Sequence, residues 1–91
     1  MKVFTKSDED VLDYFLDLRR WMPEGDEISD VEVVYDQATS LEFNGFNHSE
    51  NTIKVWFGGG DPGREYIIKV LATTDGGRVK EINFMLVVTE R

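Results

Sequence analysis

The residues of this 91-residue chain best placed to do chemistry are a glycine-rich segment, a single histidine and several clusters of carboxylates. The segment Gly58-Gly59-Gly60-Asp61-Pro62-Gly63 invites comparison with loops whose backbone N–H groups cradle a phosphate. Such a loop leads into a lysine, a serine or threonine and the first turn of a helix. Arg64-Glu65-Tyr66 and an alternating apolar run follow instead, and the Asp61 carboxylate would repel an anion, so the segment reads as a connection between two strands. His48 would have to anchor any serine triad, yet Ser49 is its neighbour in sequence, and adjacent side chains diverge. It reads as a loop histidine, and the sequon Asn47-His48-Ser49 around it as a chance match.

The carboxylates fare no better as chemistry. Asp8-Glu9-Asp10 and the set Glu24, Asp26, Glu27 and Asp30 are the candidates for calcium, which takes roughly six to eight oxygens from a tightly turned loop. EF-hand spacing is absent, so both sets read as a solvated acidic face, with weak divalent binding the alternative. A glycosidase pair needs two carboxylates across a cleft, and a chain of this size is too short for the usual one. Without cysteine there is no thiolate nucleophile, disulfide or thiolate zinc site. No catalytic, cofactor-binding or metal-ligating residue is therefore assigned, and the chain is expected to be no enzyme and to use no cofactor.

Length and composition set the frame around these residues. A chain this size forms one domain and buries roughly 60 to 68% of its unfolded surface. With 41% hydrophobic and 31% charged residues it has the composition of a globular domain, not of a disordered one. Its formal charge is −8, and residues 1–40 carry most of it, with eleven acids against four bases, where residues 41–91 carry seven against six. Nucleic acids and anionic membranes are poor partners for such a chain, because phosphate binding draws on lysine and arginine. Met1-Lys2-Val3-Phe4-Thr5-Lys6 has no apolar run of the signal-peptide kind, and synthesis in a cytosol is expected.

The elements that would position these residues are strands. From Asp30 onward side chains alternate with a period of two. Val31, Val33 and Tyr35 share one face against Asp30 and Glu32, and Leu41 and Phe43 repeat the pattern. Ile53, Val55 and Phe57 oppose Thr52, Lys54 and Trp56. Tyr66, Ile68, Val70 and Ala72 oppose Ile67, Lys69 and Leu71, a two-sided apolar strand that suits the middle of a sheet. Asp75-Gly76-Gly77 turns this run into the last one, Ile82, Phe84, Leu86 and Val88, as a long antiparallel hairpin. Five strands at short spacing predict a sandwich or small barrel. Residues 8–22 are ambiguous. Val11, Phe15, Leu18 and Met22 form a helical stripe, while Tyr14, Leu16 and Leu18 alternate as a strand would. Residues 1–7 read as a loose arm before a single domain over 8–91, and Trp21 reads as core, among Leu18 and Met22. Trp56 points outward beside Lys54, either as a contact residue or as cover for the sheet's outer face.

The text Val55-Trp56-Phe57-Gly58-Gly59-Gly60-Asp61-Pro62-Gly63-Arg64-Glu65-Tyr66, continuing to Thr73-Thr74-Asp75-Gly76-Gly77-Arg78, resembles small phage structural proteins of the fiber-tail adaptor family. Those proteins read V-W, a small residue, two glycines, then G, two residues and Y, followed by T-T-x-G-G-R and a last strand that Glu81, Phe84, Leu86 and Val88 match here. Upstream, Asp13, Tyr14, Asp17, Trp21, Gly25, Asp26 and Ile28 match the family pattern D-Y-x-F-D-W, W-L and G-D-x-I. Leu16, Leu18, Met22 and Arg19-Arg20 depart from it. The likeness runs from Asp13 to Val88.

The resemblance implies an all-β fold, an immunoglobulin-like or fibronectin-like antiparallel β-sandwich of about six to seven strands. It also implies an edge strand over 13–18 with a turn through Arg19–Met22 in place of the helix, and no catalytic residue. The expected function is a non-enzymatic virion structural protein of the tail region, made in the host cytoplasm. It would join fibers or neighbouring proteins to the tail in several copies per particle, with no nucleic acid or membrane partner. The candidate protein interface is Trp56, Lys54, Asp61, Pro62, Arg64 and Arg78. The alternatives are a carbohydrate-binding or adhesion module, which would need Trp21, Trp56 and the three tyrosines as an exposed platform, and a capsid decoration protein.

Overall fold

Strands form wherever β-branched and aromatic residues alternate with polar ones, and seven do so in the computed structural model, which describes residues 2–90. They are β1 (Lys2–Ser7), β2 (Leu12–Asp17), β3 (Ile28–Val34), β4 (Leu41–His48), β5 (Thr52–Gly59), β6 (Glu65–Thr74) and β7 (Val79–Thr89). One sheet has the order β1-β7-β6-β3 and the other β2-β5-β4. Every pairing is antiparallel except that of β1 with β7. The fold is thus an all-β sandwich, and its neighbours are consistent with immunoglobulin-like connectivity.

Each sheet turns one face inward because alternate residues on that face are apolar. Ile53, Val55 and Phe57 on β5 meet Ile68, Val70, Phe84, Leu86 and Val88 of the larger sheet, all without solvent exposure. Aromatic rings tie the two layers together. Phe4 of β1 lies 5.0 Å from Tyr14 of β2 and 5.4 Å from Phe84 of β7, and Tyr35 lies 5.6 Å from Phe57, edge to face. The central place expected for β6 is observed, between β7 and β3.

The β6–β7 hairpin keeps one register from Glu65↔Val87 to Thr73↔Val79. Its loop, Asp75-Gly76-Gly77, closes with Gly77 N donating to Thr74 O at 3.0 Å and Gly77 at φ 83°, a value that a side chain resists. At the other end of β6 the Tyr66 hydroxyl accepts a hydrogen bond from Asp61 N at 2.9 Å. A tyrosine at the start of the sixth strand, bonded back to the chain just upstream, is similar to the tyrosine corner described for immunoglobulin-like sandwiches.

Two expectations are corrected, and the strand expected over 13–18 is found. Lys2–Ser7 is not a loose arm but β1, whose partner on β7 is remote in sequence and so leaves no local signal. Of the two readings of residues 8–22 the strand is the one observed, as β2, and the helical stripe does not form. Pairing of β2 with β5, Tyr14 opposite Val55 and Leu16 opposite Ile53, satisfies the backbone and buries Tyr14, Leu16 and Leu18, leaving Val11 and Phe15 exposed. A turn follows, in which Trp21 N and Met22 N both donate to Leu18 O at 3.0 Å. Trp21 stands outside the core, half-buried under the Lys80 ammonium, which lies 5.6 Å from its ring centroid.

Tyr66→Phe is expected to keep the fold and lose about 1–2 kcal/mol of stability, because the ring still packs while Asp61 N loses its acceptor. Urea unfolding at an unchanged slope would register the difference.

Candidate protein interface

The six residues singled out from sequence do not form one patch. Lys54 and Trp56 lie on the outer face of the three-stranded sheet, where Lys54 pairs across with Phe15 and Trp56 with Asp13. Lys54 is exposed and Trp56 half-buried. Asp61, Pro62 and Arg64 belong to the β5–β6 connection, and Arg78 to the β6–β7 turn. The ten residues of β6 separate these two sites, about 33 Å of strand in a molecule whose longest dimension is 45 Å.

The charged members are occupied within the chain. One Arg64 nitrogen sits 2.9 Å from Asp36 and another 3.8 Å from Asp61, while the guanidinium covers the Tyr66 ring at 5.2 Å. The Ser40 hydroxyl donates to Asp61 at 2.6 Å. These bonds fasten the β3–β4 and β5–β6 connections to each other. The glycines beside them are there for close approach and not for anion binding. A Cβ on Gly60 would come within 2.6 Å of a Val88 methyl, and its φ of +95° already excludes most side chains. Lys6 is buried at this end and donates its ammonium hydrogens to Ser7 O and to Gly59 O, one in each sheet. Burial lowers its pKa, and the carboxylates of Asp10, Asp8 and Glu42 act against that.

At the opposite end Asp26 does the corresponding work. Its carboxylate, 6% exposed, accepts from Gly76 N at 2.9 Å, from Glu27 N at 3.0 Å and from Arg78 at 3.1 Å. The Thr74 hydroxyl, then these N–H groups and the Arg78 guanidinium, hold it below the ordinary carboxylate range. Gly25-Asp26 and Thr74 to Arg78, separate in sequence, are therefore two halves of one fastening.

Among the described residues no three His, Asp or Glu side chains converge as metal ligands would. Burial, with Asp10 and Asp13 nearby, pushes the Tyr14 phenol up to about 12, so it stays protonated and unreactive at neutral pH. His48 closes β4, its ring stacked on Phe46 and its Nδ1 3.2 Å from Ser49 O. The aromatic platform required of a carbohydrate module is not built either. Tyr14 and Tyr66 are buried, and Tyr35 packs on Phe43 and Phe57.

Sequence reasoning missed an apolar row on the outer face of the larger sheet. Val3, Met85 and Ile67 stand abreast on β1, β7 and β6, with Val3 55% and Ile67 51% exposed. The two-sided pattern of β6 signalled Ile67, but the unrecognised first strand concealed Val3.

Because the folded Asp26 is held below the ordinary carboxylate range, its contribution to stability is complete at pH values well above the titration of an unfolded aspartate and is lost as pH falls through the lower folded value. Asp26→Asn is expected to lower the thermal midpoint at pH 7 and to flatten its decline below about pH 4. Circular dichroism melts from pH 7 to acid would show parallel curves for the two proteins if the carboxylate has no such role.

A search of the curated proteins found no match. The family model of the podophage GP4 fiber-tail adaptor protein gp77 matches residues 6–87, from the buried Lys6 near the end of β1 to Val87 within β7, and the chain belongs to that family.

Proposed function

We propose that this protein joins fibers, or neighbouring tail proteins, to the tail of a phage particle and performs no catalysis, binding through its sheet faces and edges. It is made in the host cytoplasm and works in the virion, in several copies placed by the symmetry of the tail. The observation that carries this reading is the placement of apolar side chains on the outside of both sheets. Single exposed apolar residues are ordinary, but Val3, Met85 and Ile67 adjoin one another across three hydrogen-bonded strands. On the other sheet Phe15, 46% exposed, lies diagonal to Trp56 across the β2–β5 pair. Such patches suit flat contacts with proteins better than enclosure of a small ligand. Each would be modest in area, and repetition around a ring would multiply weak contacts into firm attachment. The charge of −8 supports protein partners over nucleic acid or anionic membrane.

Trp56→Ala is expected to leave the circular dichroism spectrum unchanged and to cost about 2 kcal/mol at the contact, reducing the copies carried per particle. Quantitative mass spectrometry of purified particles measures this directly, and a normal copy number for the variant would remove Trp56 from the interface.

A further inference from the structure

Two open sheets leave four edge strands, β1 and β3 in the larger sheet and β2 and β4 in the smaller. An edge presents unpaired N–H and C=O groups to any strand that comes near, and proteins blunt it with bulges, lysines or charges turned inward. All but β2 carry such a device. β3 shifts register between Ile28 and Asp30 and exposes Asp30 and Glu32, and β4 is bulged between Phe43 and Phe46, where Gly45 takes a φ of 111°. β1 begins with Lys2 and turns the ammonium of Lys6 into the sandwich, where it donates to Ser7 O and Gly59 O.

β2 runs beside β5 without a break, from Leu12↔Phe57 to Asp17↔Thr52, and contains no glycine, proline or lysine. Antiparallel pairs alternate between exchanging both backbone bonds and exchanging none. Leu18 N donates to Asn51 O at 3.0 Å at the end of this ladder, which sets the alternation. Leu12, Tyr14 and Leu16 therefore bond to β5, while the N–H and C=O of Asp13, Phe15 and Asp17 point to the open side. The strand is apolar as well as open, with Leu12 40% and Phe15 46% exposed and Val11, just before it, 59%.

The two ends of this strand differ in charge. Residues 8–13 hold four acids and no base, while residues 17–20 hold Arg19 and Arg20 against Asp17 alone. Arg19 stays on Asp17 at 2.6 Å, so the cation offered at that end is the exposed Arg20. A strand laid antiparallel to β2 must be basic where β2 starts and acidic where it ends. β2 itself, turned about a twofold axis, has that arrangement. Side-chain parity agrees, because residues directly opposite share a face. A register that sets Phe15 against Phe15 and Asp13 against Asp17 keeps Tyr14 and Leu16 of both copies inward and lets the open backbone groups exchange in pairs. Asp17 enters it already neutralised by Arg19, and the acidic start of each strand comes beside Arg20 of the other.

We propose that β2 is the joint between two copies of this chain, paired antiparallel so that their three-stranded sheets become one. The outer face of the joined sheet gathers Phe15 and Trp56 from both copies into a single aromatic surface, larger than one sandwich offers alone. A short strand edge makes a weak, reversible contact, which gains strength where copies are held close together. The inference follows from the edge alone and stands apart from the adaptor reading.

The test uses the purified full chain. Sedimentation velocity is expected to show the mass of one chain giving way to that of two near about 100 µM. The photo-crosslinker p-benzoylphenylalanine in place of Phe15 is expected to give a covalent dimer linked to residues 11–17 of the second copy. In place of Val34, exposed on the blunted β3, it is expected to give about tenfold less. Arg20→Glu sets acid against acid twice across the twofold, and is expected to weaken the dimer by about tenfold while a circular dichroism melt shows the domain still folded. A chain that stays single up to about 1 mM, crosslinks from position 15 that fall outside β2, or a dimer indifferent to Arg20→Glu overturns the inference. So do crosslinks from position 15 to a different protein in intact particles, and each of these outcomes leaves the adaptor reading as it stands.

Discussion

The constraint on which this molecule depends is the closing of one apolar layer between a four-stranded and a three-stranded sheet. A chain of 91 residues has enough apolar surface for a single such layer, and alternation devotes every second strand residue to it. Phe57 and Phe84, from opposite sheets and without solvent exposure, sit at its centre. Phe4 and Tyr14 bridge the layers on one flank, Tyr35 and Phe43 on the other. Because the layer uses the inward residues completely, whatever else the protein does falls to the outward residues, the edges and the connections.

The residues that carry the family likeness explain the scaffold more than the contact. Trp56 and Lys54 face outward, but the glycine segment, Tyr66, Asp26 and the Thr74–Arg78 turn all serve to seal the two ends of the sandwich. Gly60 lets the backbone pass against Val88, the Tyr66 hydroxyl pins Asp61 N, and Asp26 gathers the β6–β7 turn. An adaptor of this size gains from ends fixed by hydrogen bonds and ion pairs, because contacts on its faces and edges then meet a rigid surface and cost less ordering entropy. The buried Lys6, donating into both sheets at one end, serves the same rigidity with a single side chain.

The apolar surfaces left over are of two kinds. The outer face of the larger sheet carries the row of Val3, Met85 and Ile67, and the outer face of the smaller sheet presents Phe15 with Trp56. Both lie on strand faces, one on each side of the sandwich.

Period-two alternation from Asp30 to Val88 was sufficient to assign five strands, their inward residues and the β6–β7 hairpin, since the pleat and the tight turn are dictated by residues close together in the chain. The strand state of residues 12–17 followed from likeness to the family, not from periodicity, because the same letters satisfy a helical stripe until β5 offers a partner for the backbone. Only the tertiary structure decided that Lys2–Ser7 crosses to lie parallel to Phe84–Thr89, and with it the outward place of Val3. It also divided Arg64 from Arg78 by the length of β6, joined Asp26 to Gly76, and moved Trp21 out of the core. The physical reason is common to all of these: side-chain alternation is a local property of a strand, whereas the identity of its neighbour depends on closing a loop between residues far apart, and no short window of sequence contains both partners.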